Sequence, residues 1–189
     1  VPSELVSSAY PCGMSYGGIE ISEVTLNGEK IDVTISGEDD DILVVSLPEE
    51  GQLYPQERAQ IGVNFSLKIP QVNHRFGYNG RTVNLGNWYP IACVYEDGKF
   101  VTDTYCEYGD PFYSECKDYT VTLSVPSDYS VASSLTPTGT VWSGGETEYS
   151  YERKNVREIA FVLSKKFEIA KCNHNGVEIS YYYYDDENP

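Results

Sequence analysis

Alternation of apolar and polar side chains, cut off by proline or by Asn-Gly and Asp-Gly pairs, limits what this chain folds into more than any other feature. Ile61, Val63, Phe65, Leu67 and Ile69 alternate with Gly62, Asn64, Ser66 and Lys68 and stop at Pro70. Successive side chains of a strand point to opposite faces, so this spacing puts five apolar groups on one side, and proline, which has no N–H for the ladder, closes the strand. Tyr119, Val121, Leu123 and Val125 repeat the pattern and stop at Pro126. Around Asn27-Gly28, Ile19 and Ile21 on one side and Ile31, Val33 and Ile35 on the other alternate with polar residues. Asn and Gly tolerate the positive φ of a two-residue hairpin turn, so these flanks predict a hairpin with one wet face. Asn79-Gly80, Asp97-Gly98 and Asn175-Gly176 carry the same signal.

A further strand is expected to begin near Tyr129, and short β-rich segments follow near 137–143, 146–153, 159–164, 166–172 and 177–184, with locally paired strands and turns such as Ser143-Gly144-Gly145. No window of a dozen residues shows helical periodicity. The 17 tyrosines against one methionine agree, because aromatic side chains suit a pleated, half-buried surface. The chain therefore reads as all-β: about a dozen mostly antiparallel strands at sandwich-like spacing, with a long irregular segment from about 71 to 117 rich in Gly, Pro, Asn and aromatics. No repeat or linker divides it, and at 189 residues with 40% hydrophobic content it is read as a single domain, 1–189. Its last stretch, Tyr181 to Tyr184 followed by Asp185, Asp186, Glu187, Asn188 and Pro189, reads as a strand running out into a charged connector.

Twenty-nine acids against 13 bases give a net charge of −16. Such a surface repels phosphate backbones and anionic lipid, which argues against nucleic acid as a partner and against membrane contact. No stretch approaches the ~20 apolar residues that cross a bilayer. The start, Val1-Pro2-Ser3-Glu4, has neither an initiator Met nor the regions of a signal peptide, and reads as that of a mature or trimmed segment.

Catalytic chemistry is thin. The two histidines, His74 and His174, lie a hundred positions apart, and neither belongs to an H-E-x-x-H pair. Zinc catalysis needs three protein ligands and an open position. Cys172-Asn173-His174 reads instead as a polar hairpin tip and His74 as a loop residue. No G-x-S-x-G elbow is present. Glu38-Asp39-Asp40-Asp41 and Asp185-Asp186-Glu187 lack calcium-loop spacing and read as solvated turns. Cys12, Cys93, Cys106, Cys116 and Cys172 include no C-x-x-C pair; they are expected to be small buried side chains, with one disulfide as the alternative. Asn64-Phe65-Ser66 has the form of a glycosylation sequon but lies within the strongest alternating strand.

A series of stretches in the irregular centre and beyond it carries a resemblance. Arg75-Phe76-Gly77, then Leu85-Gly86-Asn87-Trp88-Tyr89-Pro90, then Gly109-Asp110-Pro111-Phe112-Tyr113-Ser114-Glu115, then Asp118 to Pro126 occur in an order that resembles the N-terminal domain of aminopeptidase-N-type zinc metallopeptidases, especially their divergent bacterial branch. The strand from Ile61 to Pro70 and the stretch from Val156 to Lys166 extend the match over nearly the whole chain. The resemblance implies a saddle-like β-sandwich that packs against its own C-terminal catalytic domain, absent from this chain, and meets peptide substrates through the parent protein. Zinc and the glutamate base would belong to that missing domain, leaving this chain without catalytic residues or cofactor of its own. It also implies a bacterial parent, exported or envelope-anchored, with a cytoplasmic location as the alternative. In the family an acid or amide of this domain binds the substrate's free amino group. Glu107, with Asp110 close by, stands nearest that position, although the Pro-Cys that usually precedes it is absent. Trp88, Tyr89, Phe112 and Tyr113 are read as an interdomain or cleft patch, or as locally buried rings. The second functional reading is a free-standing β-sandwich that binds carbohydrate or a cell-surface protein.

Overall fold

The computed structural model describes residues 3–47, 53–103 and 112–185. Helix is confined there to a short turn at Ser3–Leu5 and α1 (Val6–Ala9). Strands follow as β1 (Gly18–Leu26), β2 (Glu29–Lys30), β3 (Val33–Ser36), β4 (Ile42–Val45), β5 (Ile61–Lys68), β6 (Phe76–Tyr78), β7 (Val83–Leu85), β8 (Tyr95–Glu96) and β9 (Lys99–Phe100). Then come β10 (Lys117–Pro126), β11 (Ser130–Ser133), β12 (Gly139–Ser143), β13 (Glu146–Val156), β14 (Phe161–Ser164), β15 (Glu168–His174) and β16 (Val177–Tyr183). Every pairing between these strands is antiparallel, and the fold is all-β. Among its described residues, the stretch read as irregular carries β6 to β9, each of two or three residues, before β10 begins at Lys117.

Contacts divide the chain into two compact units. The sandwich unit comprises Val1–Ser15, Pro70–Ile91 and Ser114–Pro189; the hairpin unit comprises Tyr16–Ile69 and Ala92–Tyr113.

Among its described residues the sandwich unit contains antiparallel sheets in the orders β10-β13-β12 and β11-β14-β7-β6, together with the β15-β16 hairpin. Alternation on β10 and β13 brings Val121 opposite Tyr151 and Leu123 opposite Tyr149 on the inner face. Phe161 and Leu163 of β14 meet them, and with Val125, Tyr151 and Ile159 they form one buried cluster. Burial of such a side chain contributes on the order of 2–3 kcal/mol, so this cluster anchors the unit. Ser164, completely buried, ties its elements together: its hydroxyl donates to Arg81 O at 2.6 Å and accepts from the Lys166 amide at 3.0 Å.

In the hairpin unit the alternating strands sit as read, but the pairing differs. The sequence reading pairs the arms on either side of Asn27-Gly28; the structure ends that hairpin after two residues, with Thr25 opposite Lys30 and Leu26 opposite Glu29. β3 instead turns through the exposed Gly37–Asp41 loop to pair with β4, and the long partner of β1 is β5. That pairing, bent by a bulge between Ile21 and Glu23, sets Val24 opposite Val63 and Leu26 opposite Ile61, and so gathers two apolar rows on one sheet. Two residues of β2 could not do so.

Three of the four Asn-Gly and Asp-Gly pairs adopt the left-handed turn expected of them, with φ of 53° and 89° at Asn27-Gly28, 50° and 79° at Asp97-Gly98, and 51° and 81° at Asn175-Gly176. Asn79-Gly80 does not. There the Asn79 side-chain oxygen accepts from the amides of Arg81 at 2.7 Å and Thr82 at 2.8 Å, so a side-chain-capped turn joins β6 to β7 without positive φ.

Candidate functional site

Trp88 and Tyr89 are placed by the residues just before them. The Gly86 amide donates to Arg75 O at 2.8 Å, and a Cβ on Gly86 would come 2.9 Å from that oxygen. Asn87 follows in the left-handed region at φ 51°, its side-chain Nδ2 donating to Glu158 Oε2 at 2.6 Å. This corner tips the Trp88 ring onto the sandwich core, 6.2 Å from Phe161 and edge-on to Tyr89 at 5.1 Å. The indole N–H is buried and has no hydrogen-bond partner among the described residues. Tyr89 donates its hydroxyl proton to Tyr119 Oη at 2.8 Å, and Tyr119 donates to Arg157 O at 2.9 Å. Burial, then the bond from Tyr89, raises the Tyr119 phenol well above its ordinary range. The Arg157 guanidinium in turn donates to Ser114 O.

Phe112 and Tyr113 fall in the hairpin unit, where Tyr113 is exposed and donates to Glu96 Oε2 at 3.2 Å. Glu107 and Asp110 lie outside the described residues. The sequence-named aromatics thus divide between the two units, Trp88 and Tyr89 acting as half-buried struts of the sandwich.

His74 is exposed, and partial desolvation followed by the charge of Arg75 lowers its pKa. His174 sits at the β15–β16 tip, where Asn173 Oδ1 accepts from the Gly176 amide at 3.1 Å, the polar hairpin end that the sequence indicates. The expectation of buried cysteines fails: Cys12, Cys93, Cys116 and Cys172 are free thiols on exposed positions, and Cys106 lies outside the described residues. Cys12, Cys93 and Cys116 lie in turns and loops outside any strand, where the backbone runs over the surface, and Cys172 sits on β15, all of whose residues are exposed. A shallow cavity of about 340 Å³ and one of about 220 Å³ share Asn79, Gly80 and Arg81. Among the described residues neither is lined by a carboxylate or a histidine.

The conspicuous surface is the β15–β16 hairpin. Its register puts Ala170 opposite Tyr181, Cys172 opposite Ile179, His174 opposite Val177 and Glu168 opposite Tyr183, all on one face. On that face Val177, Ile179, Tyr181 and Tyr183 are 61, 48, 66 and 36% exposed, and Tyr181 stacks on Tyr183 at 5.4 Å. The other face is seated at its root. Phe167 packs on Tyr182 at 5.6 Å and Tyr184 at 5.3 Å, Arg81 lies over Tyr184, and Tyr182 Oη donates to Val131 O at 3.4 Å. The hairpin is therefore held in place by one side while it presents an apolar ladder on the other. Sequence reasoning missed this face, although the signal is present: in four consecutive tyrosines, period two sends Tyr182 and Tyr184 one way and Tyr181 and Tyr183 the other.

No protein-family model, curated protein or solved structure matches the chain.

Proposed function

We propose that this chain is a non-catalytic β-domain that works by being packed against, and that its partner is the catalytic domain of a zinc aminopeptidase-like protein whose peptide cleft it helps to wall. The observation that carries the docking reading is the hairpin ladder of Val177, Ile179, Tyr181 and Tyr183, an ordered apolar face left in water. A two-stranded hairpin is marginal alone, and a contiguous exposed apolar face marks an interaction site more often than idle surface. The identity of the partner rests on the ordered sequence stretches around Trp88, Asp110 and Tyr119.

Zinc belongs to the partner in this reading. What the chain contributes in this reading is surface. Glu107, three positions before Asp110 in the sequence, would meet the substrate's ammonium group, and Glu107→Gln in the longer protein is expected to raise the Michaelis constant for unblocked peptides while leaving blocked ones unaffected. The exported or envelope-anchored bacterial location belongs to the same proposal. A free-standing carbohydrate- or protein-binding module is the second reading, favoured by the exposed Tyr95–Phe100 pair, whose rings meet at 5.0 Å across β8 and β9.

Cys172, free and on the ladder, is a built-in probe. In the longer protein, the reading frame after residue 189 is expected to encode H-E-x-x-H with a downstream Glu, and alkylation of Cys172 is expected to slow several-fold relative to the chain alone. A frame that enters cell-wall repeats instead moves the assignment to the free-standing module. With the zinc motif present, unchanged alkylation of Cys172 removes the hairpin from the interface.

A further inference from the structure

The sheet β10-β13-β12 ends on β12, a five-residue strand whose residues are all exposed and whose outer side pairs with no strand among the described residues. Natural sheet edges are usually blunted by charge, proline or a bulge, because a bare edge invites another strand. Gly139-Thr140-Val141-Trp142-Ser143 has no charge and no proline, and its register with β13 is regular throughout.

Its two sides differ chemically. Trp142 pairs with Thr147 and Thr140 with Tyr149, on the side of the sheet that carries the core, yet Trp142 is 70% exposed. A large indole thus extends that apolar side into water at the edge. On the opposite side Ser143 faces Glu146 and Val141 faces Glu148, with Glu152 further along β13. The facing residues of β10 are Thr120, Thr122, Ser124 and Pro126, and the next base on that side, Lys154, lies beyond the span of β12. A strand added to β12 would lie two inter-strand spacings, about 10 Å, from β13. The small groups Gly139, Val141 and Ser143 leave room for a long basic side chain to lie across β12 and reach Glu146 or Glu148.

We propose that β12 is a docking edge for an extended basic segment of another protein, which joins the sheet as a fourth strand with apolar residues against Trp142 and Lys or Arg over Glu146 and Glu148. Main-chain hydrogen bonds would supply affinity, and the alternation of apolar and cationic side chains would supply selection. A second copy of this chain is the disfavoured occupant, because edge-to-edge pairing would bring the same carboxylates together on chains of net charge −16. The edge is separate from the hairpin ladder, and this proposal stands without the peptidase reading.

The test uses the whole chain and two capped peptides of about seven residues, one alternating Val with Lys and the other Val with Glu. The readout is the NMR signal of the Trp142 indole N–H, identified by its loss in Trp142→Phe, together with the amides of residues 139–143. The Val-Lys peptide is expected to shift these signals and slow exchange of those amides. Its affinity is expected to fall by about tenfold between roughly 50 and 500 mM salt, as exposed ion pairs are screened. The double variant Glu146→Lys, Glu148→Lys is expected to prefer the Val-Glu peptide. Equal binding of both peptides, shifts that map away from β12, no shift at millimolar peptide, or concentration-dependent pairing of the chain through residues 139–143 would each overturn the assignment.

Discussion

The two units bury their apolar residues to different extents. In the sandwich unit Val125, Tyr151, Ile159, Phe161 and Leu163 close into one cluster, with Ala9 and Val72 buried outside it. In the hairpin unit the buried hydrophobic residues among those described are Val24, Leu26 and Val94, while Ile19, Ile35, Ile61, Tyr95 and Phe100 remain exposed. Both units are built from alternating strands, so alternation alone does not make a core. The difference is a facing layer: β10 and β13 have a second sheet to pack on, whereas the apolar row of β5, from Val63 to Leu67, is only half-buried.

Core truncation should break this contrast most sharply. Phe161→Ala is expected to cost about 3–5 kcal/mol and to unfold the sandwich unit at moderate temperature, as seen in near-UV circular dichroism. Phe65→Ala in the hairpin unit should cost only about 1–2 kcal/mol, because a half-buried ring has less to lose. Equal losses would erase the distinction. Next in size is Ser164→Ala, which leaves Arg81 O and the Lys166 amide without their common partner and should cost about 1–3 kcal/mol in urea unfolding. Tyr119→Phe, which breaks the Tyr89–Tyr119–Arg157 chain, is expected to cost about 1 kcal/mol.

The remaining effects are those of pH. Burial, then Tyr149 and Tyr182, holds the Tyr151 phenol up to about 12 against an ordinary 10.0. The folded and unfolded chains both keep that proton below pH 10. Between 10 and about 12 the unfolded chain loses it first, so stability declines as pH rises through that window, and Tyr151→Phe should flatten the decline. His74 runs the other way, since its pKa is lowered from 6.5 in the folded chain. The unfolded chain takes up the proton first on acidification, so stability falls as pH drops below about 6.5. His74→Gln should remove that slope, and an unaltered slope would assign it to other groups.

Much of the strand inventory is legible in the residues. Pro70 and Pro126 close β5 and β10, and Ser143-Gly144-Gly145 joins β12 to β13. Partner choice is not legible. Period two fixes which face of β1 is apolar but not that its long partner, β5, lies some forty residues on rather than across Asn27-Gly28. Asn79-Gly80 misleads because the Asn side chain caps the turn itself, a competition that the dipeptide does not reveal. Of the candidate site, Trp88 and Tyr89 stand out as large rings in a loop, but their role as struts depends on the Gly86–Arg75 approach, a contact between segments that local sequence does not encode. The exposure of Tyr181 and Tyr183 follows from which face Phe167 seats, and that too is settled only by tertiary packing.

Native-state hydrogen exchange in rising denaturant tests most directly whether one unit carries its own core while the other holds strands in need of a cover. Amides of β10, β13 and β14 are expected to exchange only through global unfolding, and those of β1 and β5 through a separate opening of lower free energy. A single free energy shared by both sets would contradict the account.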